Sequence, residues 1–363
     1  MRVNLADVLP SAASAIGAPS FDNRLELPPV RHAVVCLIDG LGWHVMQRNL
    51  QAVPFLSQFA HDAPIACAFP STTPVGLASL GTGALPGAHG FVGASFLLPE
   101  TGSVLSPLHW GGDPTPQSVQ PDSTVFERVA AAGFTVTTVA PGAYRSSGLT
   151  RATLRGAAYQ ASEGIDDRVE AVRRCLMSDQ PSLTYVYWAD VDRAGHEFGV
   201  DSPQWCKAML LADELVMRLA ELLPPGALMV VTSDHGMVNC PDSHRISIDI
   251  TPGLSHGVRH VAGEPRLRHI YTQEGAQNDV SDAWRAILRD RITVLTREEL
   301  IDSGALGPVD VAIDERIGDV VAIAEGEWML TSHTDTRVSS LRGQHGSWTP
   351  DEMDIPAVVL LGT

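Results

Sequence analysis

Three aspartates, three histidines and one threonine carry the chemistry that can be read from this chain. Asp39 closes the apolar run HAVVCLID, Asp192 and His196 stand four apart in DVDRAGHEFG, Asp234 and His235 adjoin in TSDHGM, and His345 lies in GQHG. Mixed Asp and His sets suit zinc, with Mn or Fe as alternatives, whereas Mg favours oxygen ligands alone. Six ligands are enough for two ions, and a pair ~3.5–4 Å apart can clamp the attacking and departing oxygens of a phosphoryl transfer. The hydroxyl is Thr73, in FPSTTPVGLASLGTG. Pro74 behind it suits the first helical position, which predicts Thr73 as the N-cap, beside free N–H groups and the positive end of the helix dipole. Phosphate binds readily at such a point. A threonine hydroxyl is a poor nucleophile until a cation lowers its pKa, so the ligand set and the threonine explain each other. Taken singly, each has an ordinary explanation: a helix cap, an Asp–Gly turn, an Asp–His pair on one helical turn.

Their placement raises them above that. The runs 32–39, 183–190 and 227–234 are continuous, apolar and end in an acid, the pattern of buried parallel strands. A capping-box pair, Thr124 and Glu127, opens the helix VFERVAAA, and Gly133 ends it before the strand 134–140. A helix over 168–177 follows, and Ser202–Pro203 opens a longer one with Trp205, Met209, Ala212, Val216 and Leu219 on one face. LGWHVMQRNL and VPFLSQFA have helical patterns, 64–69 is a short strand, and 94–120 favours loops or a hairpin. The expected fold is α/β, a mostly parallel central sheet with helices on both faces. In such sheets ligands gather beyond the carboxyl ends of the strands, where all six Asp and His residues fall. From 246 to 336 shorter strands surround one helix, SDAWRAILRD. This stretch is expected to be an inserted α+β cap subdomain, with 1–245 and 337–363 forming the core.

Composition excludes several partners. The 363 residues carry 25 Lys+Arg against 42 Asp+Glu, a net charge of −17, which disfavours duplex nucleic acid and anionic membranes. An acidic protein that handles phosphates needs local compensation, and bound cations supply it. No apolar run approaches the ~20 residues of a membrane-spanning helix. The N-terminal stretch lacks a signal-peptide pattern, and the five cysteines are scattered and never CxxC. A cytoplasmic protein with reduced thiols is the expectation.

The segments LIDGLG, STTPVGLASLGTG followed by PGAHGFVG, DVDRAGHEFG, TSDHGM and GQHG occur in that order between residues 37 and 346. Together they resemble the alkaline phosphatase superfamily, and within it the nucleotide pyrophosphatase/phosphodiesterase (type I phosphodiesterase) branch. The resemblance implies an alkaline phosphatase-like fold and a dinuclear zinc hydrolase acting through a covalent phospho-threonine. It implies Thr73 as nucleophile, with Thr72 the near rival that lacks the following proline. Asp39, Asp234 and His235, with the Thr73 oxygen, would hold the ion that activates the nucleophile. Asp192, His196 and His345 would hold the second. The implied substrate is a small phosphodiester or pyrophosphate, a nucleotide among the candidates. A phosphonate or phosphomonoester hydrolase is the alternative within the superfamily, a phosphomutase relative ranks below it, and a metal-holding module without turnover is the alternative outside enzymes. One departure stands out: Ala94 occupies the place where that branch usually carries a phosphate-binding Asn. Arg145, in PGAYRSSGLT, is the candidate substitute.

Overall fold

A computed structural model describes residues 2–59 and 63–363. Its principal strands are β1 (His32–Ile38), β2 (Thr135–Ala140), β3 (Ala158–Ala161), β4 (Ser182–Trp188), β5 (Ala227–Thr232), β6 (Val258–Glu264), β7 (Leu267–Thr272), β8 (Ile292–Thr296), β9 (Val320–Ala324) and β10 (Ala357–Leu361). The helices that matter for the site are α1 (Thr73–Thr82), α2 (Val125–Ala131), α3 (Gly148–Thr153), α4 (Ile165–Leu176), α5 (Asp190–Phe198), α6 (Pro203–Ala220) and α7 (Gln277–Leu288).

The central sheet has six strands in the order β10-β5-β1-β4-β2-β3. All pairs are parallel except β10 on β5, which is antiparallel. All seven residues of β1 are buried, because helices cover both faces of a parallel sheet and leave no side for polar residues. Val35, Leu37, Tyr185 and Val230 pack with α1 and α2 in one apolar layer, while Val34, Cys36, Val186 and Val231 pack with α4 and α6 in the other. Ser202 caps α6 by accepting from the Trp205 N–H, and Trp205, Met209, Ala212, Val216 and Leu219 are buried as the spacing requires. The Thr124–Glu127 capping box on α2 is formed in both directions.

Three local expectations change. The strand over 64–69 shrinks to Ile65–Ala66, paired with Asp354–Ile355. VPFLSQFA is a short 3-10 turn over Leu56–Phe59 instead of an α-helix, because the Asp213 carboxylate accepts both the Phe55 and the Leu56 N–H at 2.8 Å. Its last residue, Ala60, lies outside the described residues. The acid closing LTYVYWAD belongs to the next element: β4 stops at Trp188, and Asp190 opens α5.

Within 246–336 a four-stranded antiparallel sheet, ordered β6-β7-β9-β8, carries α7 on one face. Val280, Trp284 and Leu288 of α7 share an apolar cluster with Ile270, Ile292 and Val320 of that sheet. β6 was absent from the expectation, since VRHVAGE offers little apolar alternation and gains its strand form by pairing with β7. Arg266, in the β6–β7 turn, clamps the helix Pro350–Met353 through Glu352 at 3.0 and 2.7 Å, both side chains fully buried. Losing one partner of a buried pair of this kind costs about 3–5 kcal/mol, so this four-stranded sheet is firmly tied to the Pro350–Met353 helix.

Candidate active site

The carboxyl ends of β1, β4 and β5 bring five acids and imidazoles together, and His345, which follows the short strand Gly343–Gln344, joins them. Asp39 follows β1, Asp234 and His235 follow β5, and Asp192 and His196 share one face of α5. Asp192 donates its N–H to the Asp39 carbonyl at 3.1 Å. That contact explains Gly40: its φ is +75°, and a Cβ there would lie 2.9 Å from the Asp192 Cα. Asp190, two residues earlier on α5, is turned to the surface and pairs with Arg193 at 3.1 Å.

Two ligand sets result. In the first, Asp39 Oδ1 and Asp234 Oδ2 lie 3.4 and 3.6 Å from His235 Nε2. In the second, Asp192 Oδ1 lies 3.4 Å from His196 Nε2 and 3.7 Å from His345 Nε2. Each set has one ligand atom per residue within 4.8 Å of the others. Stacked His235 and His345 rings, 3.7 Å apart at their centroids, join the two. Thr73 Oγ1 sits 3.1 Å from His235 Nε2, so the hydroxyl belongs to the first set. That set is buried throughout, whereas Asp192 and His196 are half-buried; Asp39, Thr73, Asp192 and His196 all line one cavity.

Hydrogen bonding decides what these atoms can hold. The Nδ1 atoms of His196, His235 and His345 donate to the carbonyls of Gly343, Gly236 and Ser71 at 2.8, 2.9 and 3.0 Å. A carbonyl only accepts, so the proton is on Nδ1 and the Nε2 lone pair faces inward. Two such lone pairs, on His196 and His345, stand 3.1 Å apart. Asp39 Oδ1, Asp192 Oδ1 and Asp234 Oδ2 are buried without a hydrogen-bond partner among the described residues. Each buried acceptor left unpaired costs about 1–3 kcal/mol, more when charged. Facing lone pairs and orphaned carboxylate oxygens are what a cation resolves, and an Asp/His donor set fits zinc. Outer contacts aim the ligands: Tyr187 donates to Asp39 Oδ2, and the Gly40 N–H donates to Asp234 Oδ1 at 3.3 Å.

Electrostatics agree. Burial, then the Asp234 and Asp192 charges, push the Asp39 carboxyl well above its usual range, and burial raises Asp234. Burial and the neighbouring His235 and His196 hold His345 well below the ordinary imidazole value. Cation binding must therefore expel protons held by the carboxyls below their raised pKa values. Calorimetric zinc titrations in two buffers of different ionisation enthalpy should reveal net proton release that diminishes as the pH is raised. Equal heats in the two buffers at every pH would contradict this electrostatic account.

The helix start differs from expectation by one residue. Thr72 is the N-cap of α1, extended at φ −134° and ψ 147°, and its carbonyl accepts the first intrahelical bond, from Gly76 N–H at 2.9 Å. Thr73 is the first helical residue and Pro74 the second, where a missing N–H is equally harmless. The Thr72 side chain accepts no capping bond, which leaves the first-turn N–H groups without a side-chain cap and suited to an anion.

Ala94 is half-buried and donates nothing from its side chain. Its segment is pinned to the four-stranded sheet by Val92 O, 2.9 Å from His269 Nε2, and by Ser95 Oγ, which accepts the Gly263 N–H at 2.8 Å. Arg145 does not enter the site: it is exposed, lies over the Tyr159 ring and donates to the Tyr159 carbonyl at 3.0 Å. Arg193 and Arg337 line the cavity instead. Sequence reasoning also missed Glu264, at the end of β6. Its carboxyl packs against Thr72 and lies 3.8 Å from His345 Nδ1, and burial raises its pKa to about 8. A Cβ on Gly346 would meet Glu264 Oε1 at 2.5 Å, so the second glycine of GQHG was the sequence signal of a close neighbour, though not of which one.

A family model described as type I phosphodiesterase / nucleotide pyrophosphatase matches residues 33–348. The chain belongs to that family. Among curated type I phosphodiesterase relatives, human ectonucleotide pyrophosphatase/phosphodiesterase family member 5 is 25% identical over 194 residues, 52% of this chain and 39% of that protein. Human bis(5'-adenosyl)-triphosphatase is 29% identical over 99 residues, 25% of this chain and 22% of that protein. The chain thus matches well under half the length of these relatives. Murine ectonucleotide pyrophosphatase/phosphodiesterase 5, solved as an inactive variant in complex with AMP, superposes with a TM-score of 0.72 at 20% identity, covering 89% of this chain and 86% of that one. Phosphonoacetate hydrolase from Sinorhizobium meliloti, in complex with phosphonoformate, gives 0.68 at 19%, covering 93% and 91%. These two likenesses bear on the fold: this family member has the alkaline phosphatase-like architecture its motifs resemble.

Proposed function

We propose that the protein hydrolyses a small phosphodiester or pyrophosphate through Thr73, with two transition ions, zinc first and Mn or Fe as alternatives. Asp39, Asp234, His235 and the Thr73 oxygen would hold one, and Asp192, His196 and His345 the other. When bound, the pair lowers the pKa of a hydroxyl and takes up charge on phosphoryl and departing oxygens. Thr73 Oγ forms a bond to phosphorus as the ester P–O bond breaks, and the alcohol leaves with a proton. Water then adds to phosphorus, the Thr73 Oγ–P bond breaks, and the hydroxyl regains its proton. Two displacements give net retention at phosphorus. The observation that carries this reading is Thr73 Oγ1 at 3.1 Å from His235 Nε2, beside two orphaned carboxylate oxygens.

The first-turn N–H groups of α1 orient a phosphoryl oxygen, with no side-chain donor at position 94. Residues 246–336 act as a cap on the core formed by 1–245 and 337–363, a reading supported by the separate apolar cluster of the inserted sheet. Five free cysteines fit a reducing, cytoplasmic setting.

Metal analysis of the purified protein should give close to two transition ions per chain, with activity lost on chelation and regained on adding zinc. A metal-free chain as active as before chelation overturns the proposal. A panel of diesters, monoesters and phosphonates then separates the alternatives, and turnover of none leaves a metal-holding module.

A further inference from the structure

Between the central sheet and α1 and α3 lies a cavity of about 710 Å³, opening from Asp39, Thr73, Asp192 and His196. That volume suits a small-molecule site, yet in a doubly wound fold this layer is normally filled by side chains. The register shows how it is built. Thr138 is the Cα partner of both Tyr159 and Tyr185 on the neighbouring parallel strands, so the three side chains project to one face. Tyr187 stands on that face too, beside Asp39, and Tyr185 is two residues, ~6.6 Å, deeper along β4. Leu77 from α1 and Leu149 from α3 close the opposite wall.

The deep end carries a specific signature. Thr138 and Tyr185 are each 1% exposed, both line the cavity, and neither hydroxyl has a hydrogen-bond partner among the described residues. Such groups regain what burial cost them only when something polar reaches them. Charged lining residues are Asp39, Asp192, His196, Arg193, Glu197 and Arg337, and Thr138 and Tyr185 lie within β2 and β4, behind the strand-end acids. An ionised group driven to that depth would be stripped of water without a partner.

We propose that this chamber holds an organic group of the ester, and that Thr138 and Tyr185 select it. The group is an uncharged aromatic or alicyclic body with a hydrogen-bonding substituent at its far end. This rests on the hydrolytic reading above. A polyphosphate tail is kept outside, toward Arg193 and Arg337, while the ring packs among Tyr159, Leu77 and Leu149. The two hydroxyls specify the tip.

Symmetrical diaryl phosphates with and without a para-carboxamide test this, since either ester arm then enters the chamber. The wild-type protein should favour the carboxamide ester in kcat/KM, corrected for leaving-group reactivity by the rates in zinc solution alone. In Tyr185→Phe and in Thr138→Val that preference should fall about three- to tenfold, the share of one neutral hydrogen bond. Metal content and melting temperature of each variant monitor the fold. An unchanged preference in both variants, or equal losses on both esters, overturns the assignment. Binding of the matching monoaryl phosphates to the zinc-loaded protein, read by thermal shift, repeats the comparison without turnover. A selectivity that appears there while no diester is hydrolysed sinks the reaction reading and leaves the chamber standing.

Discussion

Thr73→Ala should lower hydrolysis of an aryl phosphodiester by about 10⁴-fold or more while leaving most of the bound metal in place. Removal of a nucleophile deletes the covalent route itself, and residual rate comes only from binding and charge stabilisation. Asp39, Asp234 and His235 remain in that variant, so metal analysis and kinetics on the same sample separate loss of chemistry from loss of cation. Thr73→Ser keeps a hydroxyl at the first position of α1 and should recover a large part of the rate. The adjacent threonine supplies the contrast. Thr72 turns its side chain to Glu264, so Thr72→Ala should cost less than about tenfold, the loss of one neutral hydrogen bond. Unchanged turnover in Thr73→Ala would exclude it as nucleophile, whatever the other variants do.

His345→Ala is expected to have the next largest effect. Its Nε2 closes the second set at 3.1 Å from His196 Nε2 and 3.7 Å from Asp192 Oδ1, and its ring stacks on His235. Without it, two half-buried ligands remain, too few for a tetrahedral ion that keeps one place for substrate. Metal content should drop from about two ions toward one, and the rate should fall beyond the ~10–100-fold typical of an outer-contact change. The variant also loosens the Ser71 carbonyl, which His345 Nδ1 holds next to the threonines. Full occupancy with full rate would show the second set to be misassigned.

The departure at Ala94 takes on a different meaning beside the chamber. Its segment runs toward the inserted sheet through Val92 and Ser95, and Arg145 is engaged with Tyr159. Neither position supplies a phosphate donor from its side chain. On the proposal above, specificity lies instead in the tyrosine-lined layer between the sheet and α1.

Much of this architecture follows from near neighbours in the chain. Continuous apolar runs ending in Asp specify buried parallel strands, because only strands covered on both faces lack a polar side. Asp192 and His196, four apart, must share a helix face, and α5 places them so. That Asp39, Asp192, His196, Asp234 and His235 gather was legible because a parallel sheet delivers its strand ends to one edge, whichever helices intervene. What depended on packing between distant segments was not legible. The carbonyl of Thr72, not its side chain, marks the start of α1, and that is fixed by how the turn enters the helix. Glu264 reaches His345 from a strand that forms only by pairing with β7. Strand register, which no local pattern encodes, sets Tyr159, Thr138 and Tyr185 side by side on three neighbouring strands. Residue types and local spacing thus determined which Asp and His side chains gather at the strand ends, while tertiary contacts decided their outer supports and the chamber beside them, because those arise from surfaces that meet only after the chain has folded.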